Sequence, residues 1–220
     1  MFTGVLSGHS NVVRCVAFSQ DNSHVVLGYD DGTIIVHLTK TGMVEYRADN
    51  VFGRVLGLCY LLDGSLVACG RDFDGGPNLK VFSPSLELVQ TLVGHVGPGR
   101  CVTVSPSGSH IASCGSDGKV MIWSEPGEGG EWARVQVLED HTGWILAVCF
   151  SPDGKQLATG SFDKSINLYS FNEGNAILAH TLEGHTSWVR SLSFSPDCKL
   201  LCSGSSDGSI KFWNPADGSL

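Results

Sequence analysis

Three sets of side chains in this 220-residue chain have the residue types of acid–base chemistry. Ser113, His95 and Asp117 supply the hydroxyl, imidazole and carboxylate of a nucleophilic triad; Ser203, His185 and Asp207 repeat them, and Thr159, His141 and Asp163 form a third set. In a hydrolase the imidazole takes the hydroxyl proton while the carboxylate orients the ring. Such a centre needs one arrangement beside one set of oxyanion donors. Equivalent sets recurring along the chain therefore argue for a structural hydrogen-bond role and against catalysis. His180, Glu183 and His185 lie close in sequence, but on a strand and the loop after it, so they need not converge on a metal. No CxxC pair and no GxxxxGK[ST] occurs, and the glycines of GHVGPGR and EPGEGGE do not join a strand to a helix. No metal, cofactor or small-molecule substrate is expected.

What must position these residues is a repeat. The segments from His95 to Trp123, His141 to Tyr169 and His185 to Trp213 align without a gap, each spanning an interval of 28 residues. The same interval joins His9 to His37 and, in a divergent copy without the histidine, Arg54 to Phe82. The copies cover approximately residues 8–38, 53–83, 94–124, 140–170 and 184–214 of one domain over 1–220. Within each, short apolar or alternating runs such as SLSF and IKFW are divided by turns of the SPDG type, and a further run (LELVQTLV, ARVQVLE, AILAHTLE) precedes each later histidine. That makes four strands per copy. Sustained helical periodicity is absent.

The GH pair, the FSPDGK-like turn, the SGS-x-D motif and the closing aromatic, repeated at fixed spacing, resemble the WD-repeat β-propeller family over essentially the whole chain. The resemblance implies an all-β fold of four-stranded antiparallel blades, with the strand after GH innermost. It also implies a relay from indole to hydroxyl to imidazole to carboxylate: Trp123, Ser113, His95, Asp117 in one copy and Trp213, Ser203, His185, Asp207 in another. In the fourth copy Tyr169 replaces the indole and the relay is expected to stop at His141, Thr159 and Asp163. The first has Leu27 and His37 where a hydroxyl and an indole belong, and Asp72 and Asp74 of the second do not align across the loop RDFDGGPN. These two copies are expected to rely on packing. Small residues such as Cys15, Ala17, Ser191 and Ser193 should face the crowded axis, while Val16, Phe18, Leu192 and Phe194 should pack between blades. A closed five-bladed ring is expected, with residues 2–6 supplying the outer strand of the last blade; an open or incomplete propeller is the alternative.

With 42% apolar and 16% charged residues the chain can bury a full core, and a formal charge of −8 opposes attraction to nucleic acid and anionic membranes. No apolar run approaches the length of a transmembrane helix and the start lacks the pattern of a signal peptide, so a cytoplasmic protein is expected, with the nucleus as the alternative. Most cysteines sit in apolar runs; Cys198, in the turn SPDCK, is the expected exposed thiol. The acidic loop EPGEGGEW is expected outside the blade core. By resemblance, Arg14, Arg100 and Arg190 (five residues after the histidines), Trp144 and Trp188 (three after) and Phe162 (before a turn aspartate) map to a rim used for partners. Trp188, Arg190, Trp144 and Phe162 should share one sector, with Arg14 and Arg100 away from any aromatic. The function expected is a non-catalytic scaffold binding proteins or peptides, acidic ones favoured; the alternative is a reader of an acidic or modified motif in a ligase or chromatin assembly.

Overall fold

A computed structural model describes residues 4–6, 8–72, 78–125 and 130–220. Nineteen strands and no helix occur among them, so no helix is long and apolar enough to cross a membrane. The strands form five antiparallel sheets in sequence order, the blades expected of the all-β class. The chain divides into two compact units, residues 1–93 with 97–99, and 94–96 with 100–220. Nothing in the repeat marks that boundary, which is why the sequence reads as one domain.

The first unit holds two sheets: β1 (Val13–Phe18), β2 (His24–Tyr29), β3 (Ile34–Leu38) and β4 (Val44–Ala48), then β5 (Arg54–Tyr60), β6 (Leu66–Arg71), β7 (Leu79–Phe82) and β8 (Leu88–Thr91). The second unit is built on three: β9 (Gly99–Val104), β10 (His110–Gly115), β11 (Val120–Ser124) and β12 (Ala133–Leu138); β13 (Ile145–Phe150), β14 (Gln156–Ser161), β15 (Ile166–Asn172) and β16 (Asn175–Leu182); and β17 (Val189–Phe194), β18 (Leu201–Ser205) and β19 (Ile210–Trp213). The last sheet has three strands among the described residues. Residues 1–3 lie outside those residues, and with them the first two of the expected closing strand; residues 4–6 carry no strand, and Leu6 packs against Leu27, Tyr29 and Ile35 of the first sheet. Residues 73–77, with Asp74, and 126–129 of the acidic loop also lie outside them.

Of the small residues expected at a crowded axis, Cys15 and Ala17 are half-buried, whereas Ser191 and Ser193 are exposed. The second and third strands of one sheet receive the first strand of the next: Val26, Ile34 and Val36 pack with Val55, Leu58 and Tyr60, and Ala158, Ile166 and Leu168 pack with Val189, Leu192 and Phe194. Cys15, Ala17 and Cys149 lie on the receiving faces. A Cβ on Gly28 would come within 2.6 Å of Val55 and of Cys15, and one on Gly160 within 2.6 Å of Val189, so the neighbouring sheet sets the size limit. Leu192 and Phe194 thus pack between sheets as expected. Val16 and Phe18 do not: they are 57% and 61% exposed.

The turns share one backbone requirement. Between the first and second strands of the five sheets stand Asn22, Gly64, Gly108, Gly154 and Cys198, with φ of 57°, 85°, 77°, 70° and 60°. Between second and third strands Gly32, Gly118, Lys164 and Gly208 adopt φ of 83°, 74°, 78° and 82°. Cys198 is half-buried, and left-handed where glycine serves three other sheets; it is not the exposed thiol expected. A side chain in this region is strained, and glycine removes that strain at some entropic cost. Lys164→Gly, and separately Cys198→Gly, is expected to raise unfolding free energy by about 0.5–1 kcal/mol in denaturant melts.

Candidate functional site

Two complete relays stand in the second unit. Trp123 Nε1 donates to Ser113 Oγ at 3.0 Å, His95 Nε2 lies 2.9 Å from the same oxygen, and His95 Nδ1 is 2.9 Å from Asp117. The Trp213, Ser203, His185, Asp207 set has all three distances at 2.8 Å. An indole N–H can only donate, so the hydroxyl proton goes to His Nε2, and Nδ1–H donates to the carboxylate. Both serines are fully buried. The hydroxyl thus sits between two partners deep in its sheet, a poor place for a nucleophile.

The fourth copy stops where expected: His141 bonds Asp163 at 2.9 Å and Thr159 at 2.8 Å, while the Tyr169 hydroxyl reaches past them to donate to Asp140 at 3.1 Å. The first copy turns its ring over. His9 meets Asp31 through Nε2 at 2.6 Å, its ring edge-on to Tyr29, and His37 is buried with Nδ1 on the Gly42 carbonyl and Nε2 without a partner among the described residues.

The second copy departs from the sequence alignment. Val55 pairs with Gly70 and Gly57 with Cys69, as Val13 pairs with Tyr29 and Cys15 with Gly28, so Val51 and not Arg54 stands in the place of His9. A lengthened loop before β7 masks this shift in a gapless comparison. Nor does this copy rely on packing alone. Lys80 donates to the Val51 carbonyl at 2.5 Å, faces Asp72 at 3.7 Å and lies 4.5 Å from the centre of the Phe52 ring, a clasp that sequence reasoning missed.

The carboxylates of the relays do a second task. Asp207 accepts from the Thr186 and Ser209 backbone N–H groups and the Ser209 hydroxyl as well as from His185, tying the loop before β17 to the turn after β18. The Ser209 hydroxyl first, then the backbone bond from Thr186, hold its carboxyl well below the usual carboxylate range against burial. Burial would raise the Asp163 carboxyl, but the bonds from His141 and Ser165 outweigh it and hold that group low too.

These ties carry the rim residues with them. In four first strands one residue is unpaired by a register shift: Arg14 between Val13 and Cys15, Leu56 between Val55 and Gly57, Leu146 between Ile145 and Ala147, and Arg190 between Val189 and Ser191. A bulge re-aims its side chain out of the ladder. Each arginine then reaches the residue before the turn aspartate: Arg190 Nε bonds Ser206 at 2.8 Å, Arg100 Nε bonds Ser116 at 2.7 Å, and Arg14 Nε bonds Asp30 at 2.8 Å. The Trp144 carbonyl accepts from Phe162 N–H at 2.8 Å, and the Trp188 carbonyl from Ser206 N–H at 2.9 Å, which docks each tryptophan loop on its turn.

In the second unit the side chains form one row. The Arg100 guanidinium lies 5.1 Å from the centre of the Trp144 ring; Trp144 is tilted against Phe162 at 5.4 Å; Phe162 stacks on Trp188 at 4.1 Å; and Arg190 lies 4.7 Å from the Trp188 ring centre. Trp144, Phe162, Trp188 and Arg190 therefore come together as expected. Arg100 is a correction: it caps Trp144, because the arginine of one sheet reaches the tryptophan of the next. Arg14 lies in the first unit, and its Asp30 partner is also 3.5 Å from Arg54.

Comparison with known proteins agrees with this geometry. The family described as WD domain, G-beta repeat matches residues 1–37, 86–124, 132–170 and 177–214. The chain is 40% identical over 104 residues, 45% of its length and 22% of the relative's, to a probable cytosolic iron-sulfur protein assembly protein 1 of Sclerotinia sclerotiorum. It is 26% identical over 213 residues, 77% of its length and 22% of the relative's, to periodic tryptophan protein 2 of Saccharomyces cerevisiae. To the U3 small nucleolar RNA-associated protein 15 homolog of Xenopus laevis it is 29% identical over 166 residues, 74% of its length and 31% of the relative's. The chain spans less than a third of the length of each of these relatives.

His185→Ala is expected to cost about 1–3 kcal/mol in denaturant melts, since it strips a buried hydroxyl and a carboxylate of their shared partner. His9→Ala should cost less, its relay being already broken at Leu27. Because the Asp163 and Asp207 carboxyls titrate lower in the folded chain than when unfolded, their contribution is full above about pH 4 and fades as pH falls below it toward the folded values. Melting temperature followed from pH 7 to pH 2 should therefore drop below about pH 4, and less steeply in Asp207→Asn than in the parent.

Proposed function

Since the chain belongs to the WD-repeat family of β-propeller proteins, which matches four segments covering most of its length, we propose that it is a non-catalytic scaffold whose second unit seats a partner segment on the row Arg100, Trp144, Phe162, Trp188, Arg190. The observation that carries this reading is the continuity of the row: three aromatic rings in contact, with a guanidinium on the outer face at each end. Trp144 remains 47% exposed, and Arg190 is exposed beside the half-buried Trp188. Aromatic area next to arginine is the composition of binding hot spots.

The same row favours an acidic ligand over a methylated lysine. A cage for a cation needs aromatic faces converging on empty space. Here Phe162 and Trp188 face each other, and the chain's own arginines lie over Trp144 and Trp188. Arg190 spends Nε on the neutral Ser206 hydroxyl, and a guanidinium so placed suits a carboxylate or phosphate. Arg14 faces Asp30 and contributes no uncompensated charge. The buried, doubly engaged hydroxyls of the relays support a non-catalytic role. A cytoplasmic site of action is the companion reading, supported by a relative named as a cytosolic assembly protein.

Affinity capture from cell extract with the parent chain as bait, followed by titration of the recovered partner, tests the proposal. Trp188→Ala and Arg190→Ala should each weaken binding by about 1–4 kcal/mol with little change in melting temperature. Arg14→Ala should leave affinity close to the parent value. Normal binding by both substituted chains, with early melting, would show that the rings only cover the blade ends.

A further inference from the structure

An open cavity of about 410 Å3 lies in the first unit, at the β1–β2 turn end of the strands, opposite the end that carries Arg14. Its volume is in the range of small-ligand sites. Asp21, Glu45 and Asp63 line it, with His24 the only basic residue and no lysine or arginine among the described residues of its lining. Comparable grooves of the second unit each include a lysine, Lys155 or Lys199. Asp21 takes its hydrogen bonds from Ser19 and Ser23 all on Oδ1, and Glu45 meets His24 through Oε2. The Ser19 hydroxyl first, then the Ser23 N–H and hydroxyl, hold the Asp21 carboxyl at about 2, so it is charged at neutral pH.

Carboxylates alone would mark only a solvated turn. The second observation is Tyr60, which lines the cavity, is 7% exposed, and has a buried hydroxyl with no hydrogen-bond partner among the described residues. Burial, then the charges of Asp21 and Glu45, push that hydroxyl up to about 12, which places it in the field of two cavity carboxylates and keeps it protonated. Tyr60 ends β5 where Phe18, Phe150 and Phe194 end the corresponding strands of three other sheets. Phe150 and Phe194 pack into cores at this place without a hydroxyl, so the Tyr60 hydroxyl is an addition that costs free energy until something bonds it.

From this we infer that the cavity receives the cationic end of a lysine or arginine side chain from a basic partner segment. An ammonium or guanidinium is a pure donor, matching acceptor-only carboxylates and the phenol oxygen. The aliphatic stem of such a side chain suits the walls formed by Tyr46, Leu62 and Pro84. The site is independent of the aromatic row, so either can fail without the other.

The test is two-dimensional NMR titration of the full chain with the capped peptides GGKGG and GGRGG, the norleucine counterpart of GGKGG, and n-butylammonium. The lysine and arginine peptides should shift signals of residues 19–24, 45 and 60–63 saturably, and the norleucine peptide should not. Binding by n-butylammonium as tight as by the lysine peptide would assign the site to free amines and overturn the partner segment. Glu45→Gln should weaken the lysine peptide about tenfold, as expected for losing a charge-assisted bond. Tyr60→Phe should weaken it several-fold while holding or raising the melting temperature, the opposite of a merely structural tyrosine. Equal shifts with norleucine, no binding by either basic peptide, or unchanged affinity in both variants would overturn the inference.

Discussion

A single carboxylate per copy fixes the end of its sheet on which the candidate site is built. Asp207 is held by the His185 imidazole, two backbone N–H groups and a hydroxyl, and so joins the loop before β17 to the turn after β18. Asp163 does the same with His141, Thr142 and Ser165. Each rim residue is one to five positions from such an anchor: Trp188 and Arg190 follow His185, Trp144 follows His141, and Phe162 precedes Asp163. The relay residues resemble catalytic machinery because both uses need a ring held by a carboxylate; here the held object is the backbone.

Where that anchor is missing, other chemistry does comparable work. Lys80 replaces the imidazole in the second copy, with its ammonium on the Val51 carbonyl and opposite Asp72. In the first copy the Leu27 side chain offers no hydroxyl, and His9 responds by presenting Nε2 to Asp31. The position of the closing partner varies, while the tie between loop and turn persists.

Much of this was legible in the amino-acid sequence because the repeat multiplies each signal. Strand order, the turns, the two full relays and the truncated one at Tyr169 all follow from equivalent residues at equal spacing. The grouping of Trp144, Phe162, Trp188 and Arg190 was legible for the same reason. What escaped depends on the third dimension. Arg100 joins the row because it reaches a tryptophan of the next sheet, a relation between copies that alignment within copies does not express. Val51 was hidden by compensating length changes, and the Lys80 clasp by its absence from the other copies. The exposure of Val16 and Phe18 reflects what lies against a sheet, which hydropathy cannot report.

The unpaired residue at the start of the first strands has a bearing on how such a protein can change. Arg14, Leu56, Leu146 and Arg190 occupy it in four sheets. Being outside the ladder, this residue contributes a side chain to the surface without setting the pairing of its neighbours. Substitutions there can accumulate with the scaffold untouched, so recognition and architecture are written in separable letters.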